Sequence, residues 1–75
     1  MINKEILYSI GQASKKAQVS TRTLRHYESI GLIKPDLVKE NGYRYYTDET
    51  ILIISLIKYL QFELIKYNKF LLKKY

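Results

Sequence analysis

Arg22 and Arg25 stand three positions apart, with Thr21 just ahead of them and Ser29 just beyond. On a helix, at about 100° per residue, Arg22, Arg25 and Ser29 share one face and Thr21 lies at its edge. Two guanidinium forks beside small hydroxyls suit bidentate contact with guanine edges and phosphate oxygens. Leu24, Tyr27 and Ile30 fall on the opposite face, so one side packs while the other presents cations. An ordinary helix with a solvated basic face has the same pattern, and the flanking sequence must decide between the two.

The flanks mark this helix at both ends. Ser20 is a good N-cap, and Val19 and Leu24 have the spacing of a hydrophobic staple. Gly31 can take the left-handed conformation that ends a helix, letting Leu32 fold back on Tyr27. Upstream, Ser9-Ile10-Gly11-Gln12 fits a capping box, after a lead-in with an extended piece at Ile6-Leu7-Tyr8. Ile10, Ala13 and Ala17 form a narrow apolar stripe whose small side chains permit close helix approach. Gln18-Val19 is then a tight turn between two short helices over about residues 9–31. That arrangement is a helix-turn-helix, whose second helix enters the major groove.

Beyond Gly31 the pattern turns to strand. Leu32-Ile33-Lys34 reads as a short strand stopped by Pro35, and Asn41-Gly42 is a strong hairpin signal. Tyr43-Arg44-Tyr45-Tyr46 is β-prone, with Arg44 and Tyr46 on one face. Residues 32–46 therefore read as a wing with its tip at about 36–41, and its Lys39 and Arg44 are placed to grip a phosphate backbone. A surface hairpin whose charges serve solubility is the plainer alternative.

Thr47-Asp48-Glu49 caps a longer helix over about 47–62, with acids at its positive end. Ile53, Leu56, Ile57 and Leu60 are its expected buried stripe. Ile51, Leu52, Ile54 and Tyr59 are left over, which predicts cover on a second side. A final helix is expected over 66–74, with Tyr67, Phe70 and Leu71 at helical spacing and a break near Phe62–Ile65. The expected fold is mostly α with a small β-hairpin wing: a winged helix-turn-helix of about four helices, one domain over residues 1–75.

Composition narrows the function. Thirteen Lys and Arg against seven Asp and Glu leave a net charge of +6, which favours a polyanionic partner, nucleic acid first. An AT-rich coding sequence would also enrich Lys, Ile and Tyr, so the placement of the three arginines weighs more than the total. There is no Cys and a single His, so neither a thiolate site nor a histidine metal cluster is expected, and no cofactor is called for. The chain has no catalytic Cys, no supported His–carboxylate pair and no glycine-rich phosphate loop, so no enzyme is expected. No 18-residue apolar run and no signal peptide occur, so a membrane partner is not expected and the cytoplasm is the default location.

Several of these residues together carry a resemblance. Ile10-Gly11-x-Ala13 comes first. Val19-Ser20-x-Arg22-Thr23-Leu24-Arg25-x-Tyr27-Glu28-x-Ile30-Gly31-Leu32-Ile33-x-Pro35 and Asn41-Gly42-Tyr43-Arg44-x-Tyr46 follow. With the acid-capped helix, they closely resemble the N-terminal domain of the MerR family of bacterial transcription regulators, over about residues 8–72. The resemblance implies Arg22 and Arg25 toward bases and phosphates with Thr21 nearby. It implies Tyr27 with its ring inward and its hydroxyl on a phosphate, and Arg44 on phosphate from the wing. His26 stands where the family has an aromatic, where it either weakens a backbone contact or adds a pH-sensitive one. The DNA-binding set is thus Thr21, Arg22, Arg25, His26, Tyr27, Lys39, Arg44 and Tyr46. The family binds double-stranded promoter DNA as homodimers on inverted repeats and distorts the spacer so that RNA polymerase engages, which is readout through deformation.

The sequence departs from the family pattern in places. Gln18 replaces the turn Gly, Val38 replaces a frequently basic wing residue with Lys39 beside it, and Leu64 replaces the Gly between the last two helices. A long dimerisation helix and an effector domain would follow residue 75. The expectation is either a DNA-binding domain of a longer regulator or a bare domain like small excisionase relatives. Two other readings stay open: an architectural DNA-bending factor, and an interaction or anti-regulatory module working through its apolar third helix.

Overall fold

The computed structural model describes residues 5–74, with side chains through residue 68. Strand β1 (Tyr8–Ser9) leads into α1 (Ile10–Ala17), and α2 (Thr21–Ser29) follows. Strands β2 (Leu37–Val38) and β3 (Arg44–Tyr46) form the wing, and α3 (Asp48–Lys74) completes the described chain. The antiparallel sheet has the order β1-β3-β2. Tyr8 pairs with Tyr46, and Leu37 and Val38 pair with Tyr45 and Arg44.

Local chemistry explains each helix boundary. Ser9 Oγ accepts from the Gln12 amide at 3.2 Å, and Gln12 Oε1 accepts from the Ser9 amide at 3.0 Å, so the capping box is complete. Ser20 Oγ accepts from the Thr23 amide at 3.0 Å. At the far end of α2, Gly31 lies at φ +81°; the Leu32 amide donates to Tyr27 O and the Gly31 amide to Glu28 O. Those two bonds are a full Schellman closure, which only a left-handed residue at position 31 permits cheaply.

Gln18 is the non-glycine exception. It adopts φ 57°, ψ 43° at the end of α1, and its carbonyl accepts from Lys58 Nζ at 2.7 Å. A side chain in that region crowds the following carbonyl. Gln18→Gly is therefore expected to raise stability by about 1 kcal/mol, moving the thermal midpoint up by roughly 5 °C. A melt followed by circular dichroism checks it, and an unchanged or lower midpoint would mean that the conformation is not strained here.

The core joins all the elements: Ala13 and Ala17 of α1, Leu24 and Tyr27 of α2, Ile33, Tyr46 of β3, and Ile51 and Ile54 of α3. The two alanines let α1 approach α3 closely. Four expectations are corrected. The described residues contain three helices, because α3 runs unbroken for 27 residues through the expected break at 62–65. Leu64 is a good helix former and nothing there terminates the ladder. Leu32-Ile33-Lys34 is not a strand; the wing strands begin later, and the turn closes at Lys39–Gly42, where the Gly42 amide donates to Lys39 O at 2.8 Å. Ile30 is 55% exposed and leaves the packing face to Leu24 and Tyr27. Finally, α3 buries Ile51 and Ile54 and half-buries Ile57, while Ile53, Leu56 and Leu60 are exposed. Cover on a second side is absent among the described residues. The side chains of Phe70, Leu71, Lys73 and Lys74 lie outside the described ones.

Candidate nucleic-acid interface

Helix α2 is anchored by Leu24, fully buried, and Tyr27, nearly so. With those two inward, Thr21, Arg22, Arg25, His26 and Ser29 are exposed together. None of these exposed groups is acidic, and the single acid of the helix, Glu28, is turned to the wing. There one Glu28 oxygen pairs with Arg44 Nε and the other accepts from the Tyr46 hydroxyl at 2.8 Å. A guanidinium bonded through Nε keeps its terminal amino donors.

Strand β1 brings the start of α1 beside the wing, since Ser9 pairs with Tyr45. An open cleft of about 300 Å³ results, lined among others by Gly11, Arg25, Gly42, Tyr43 and Arg44. Arg25 from the second helix and Arg44 from the wing thus face one space, next to the capped start of α1. An anion such as a phosphate suits that pair of cations.

The predicted residues divide into two groups. Thr21, Arg22, Arg25, His26, Lys39 and Arg44 are at the surface, and Lys39 Nζ rests over the Tyr45 ring at 4.8 Å. Tyr27 and Tyr46 are in the core. The Tyr27 hydroxyl donates to Gln61 Oε1 of α3 at 2.6 Å. At 0% exposure Tyr46 has no surface to offer a DNA strand, and its place is under Glu28. Alternation along β3 put Tyr46 on the face of Arg44, correctly, but that face turns inward at its third residue. Gly11 and Tyr43 also line the cleft and are not among the expected residues. Their signal is long-range, since only the β1–β3 pairing brings residue 11 to residue 43.

The buried tyrosines give a pH signature. Burial raises the Tyr27 hydroxyl above its ordinary 10.0. Burial raises Tyr46 further, helped by its hydrogen bond to the Glu28 carboxylate and that carboxylate's charge. A group raised in the folded state contributes stability below its unfolded value that is lost as pH climbs toward the folded one. Thermal midpoints are expected to fall progressively above about pH 10. Tyr46→Phe should flatten that decline; an identical decline in wild type and variant would remove Tyr46 as a cause.

Comparison with known proteins follows the same lines. A sequence model described as "MerR HTH family regulatory protein" matches residues 8–63. The regulator of multidrug-efflux transporter 1 of Bacillus subtilis is 48% identical over 60 residues, covering 79% of this chain and 22% of that regulator. The regulator of multidrug-efflux transporter 2 of the same organism is also 48% identical, over 71% of this chain and 20% of its own length. The chain thus spans about a fifth of the length of these two relatives. Among solved structures, HiNmlR, a regulator lacking its sensor domain and bound to promoter DNA, aligns at TM-score 0.68. Its identity is 32%, over 75% of this chain and 42% of the other. SkgA of Caulobacter crescentus aligns at 0.64 with 38% identity, over 77% of this chain and 42% of its own.

Proposed function

The chain belongs to the MerR family of helix-turn-helix regulatory proteins, and on that premise we propose that it binds double-stranded DNA sequence-specifically as the reading domain of a bacterial transcription regulator. The observation that carries the reading is the division of α2. Leu24 and Tyr27 lock it to the core while Arg22 and Arg25 stay exposed, Arg25 in the cleft it shares with Arg44. In this reading Arg22, with Thr21 beside it, meets base edges. Arg25, His26, Lys39 and Arg44 meet phosphates, and the Tyr27 hydroxyl meets one if it leaves Gln61. Tyr46 supports the wing from within. Promoter DNA as the target and RNA polymerase as the eventual beneficiary belong to the same proposal, as does a cytoplasmic site of action. No described helix is long and apolar enough to cross a membrane.

A second reading has an observation of its own. Leu56, Leu60, Leu64 and Tyr67 are exposed along α3, an apolar surface that suits pairing with another helix. Pairing of two copies would give the inverted-repeat recognition expected of a dimer; pairing with a different regulator would make the chain an interaction module.

Selection of binding sites from a random duplex pool at near-physiological salt, with an Arg22→Ala, Arg25→Ala double variant alongside, separates these outcomes. Enrichment of an inverted repeat that the variant loses supports a sequence-reading dimer. A single half-site supports a monomeric reading head. Enrichment of bent sites without a preferred sequence favours the architectural role, and no enrichment at all favours the interaction module.

A further inference from the structure

We propose that Glu28 is a positioning residue for DNA recognition, holding the wing arginine in register with α2 and so setting the discrimination between target and random sequence. The inference rests on the DNA-reading function proposed above. Glu28 lies in the last turn of α2, and its side chain is 18% exposed against 45% for Arg44. Its two oxygens are used by two residues of one strand face, Arg44 and Tyr46. A carboxylate that spans positions i and i+2 of β3 fixes both the distance and the tilt of the wing relative to the recognition helix. Tyr46 is fully buried in the core, so the anchor is packed on the wing side as well.

The cost of this device is an acid on a surface that receives a polyanion. Its charge weakens binding to every duplex, target or not. Its geometry helps only a duplex whose base edges and phosphates must be met together by α2 and by Arg44. The two effects therefore have opposite sign and separate experimentally.

Anisotropy titrations of the full chain over a salt series, on the selected duplex and on a random duplex, read both. Glu28→Gln is expected to bind random duplex more tightly, on the order of threefold, and selected duplex more weakly. The specificity ratio should then fall about tenfold. Tyr46→Phe keeps the core volume and the charge but removes one of the two anchors. It should lower the ratio severalfold without tightening random binding. In an Arg44→Ala background the effect of Glu28→Gln on the ratio should shrink to within about twofold, as expected of residues acting as one unit. Parallel changes on both duplexes, or an effect of full size without Arg44, would overturn the proposal. So would a variant that melts earlier yet keeps its ratio while folded. A wild-type chain that does not distinguish the two duplexes overturns the DNA-reading function itself, and this inference with it.

Discussion

Asp36→Ala is expected to lower the stability of the fold by about 2–3 kcal/mol. One oxygen of Asp36 accepts from the Thr47 amide at 2.8 Å, the Thr47 hydroxyl at 3.2 Å and the Thr50 hydroxyl at 2.8 Å. Both threonines are buried, so the alanine variant strands their donors away from water. The Asp36 backbone meanwhile donates to Tyr45 O, so a single residue ties the base of the wing to the first turn of α3. Asp36 itself is at the surface, and the threonine hydroxyls already approach each other at 3.4 Å. Water and that pair recover part of the loss, which is why the figure is below the sum of three charged hydrogen bonds. For a domain of this length total stability is roughly 4–11 kcal/mol, so the thermal midpoint should drop on the order of 15 °C. Asp36→Asn, which keeps an acceptor and loses the charge, should cost about half as much. Chemical denaturation followed by circular dichroism measures both, and a loss within 0.5 kcal/mol for Asp36→Ala would show that the wing is held by packing alone.

What could be read in the chain beforehand divides by range. The caps at Ser9, Ser20 and Thr47, the Gly31 terminus and the Asn41-Gly42 turn are short-range patterns, and each forms its hydrogen bond within a few residues. The exposed arginines of α2 followed from the same local geometry. The buried face of α3 differs from the expected one because Ile51–Ile57 is apolar nearly all the way round. Periodicity then carries no direction, and only the location of α1 selects Ile51 and Ile54 over Ile53 and Leu56. The Asp36 tie and the Glu28 pairing with Arg44 and Tyr46 link residues 11–18 positions apart across a turn. A charge pattern does not reveal which acid in a basic chain is used in this way. The extended piece at Ile6-Leu7-Tyr8 overlaps two-residue β1 at Tyr8 alone, and nothing local in it reveals the pairing with β3 that builds the cleft between α1 and the wing. Gln18 shows the reverse: its own side chain gives no sign of a left-handed position, and only the departure from the family's turn glycine marks it.

For DNA binding, the double variant Arg22→Ala, Arg25→Ala is expected to lose at least about 30-fold in affinity for its selected duplex, since each contact of this kind is worth about 1–3 kcal/mol. The two arginines should not lose it in the same way. Arg25 lines the cleft with Arg44 and the start of α1, a setting suited to phosphate, so Arg25→Ala should weaken selected and random duplexes alike and reduce the salt slope by about one. Arg22 is exposed in the first turn of α2 and is not among the residues lining that cleft. Arg22→Ala should spare most of the random binding and relax the preference at one base pair. Neither substitution touches the core, because Leu24 and Tyr27 carry the packing of the helix, and both variants should melt within a few degrees of wild type. Repeating the site selection with each single variant tests the division. A logo that loses one position with Arg22→Ala and keeps its shape with Arg25→Ala supports it. A logo unchanged by Arg22→Ala would move sequence reading away from the first turn of α2, to His26 and Ser29 nearer its end or to the deformation of the duplex itself.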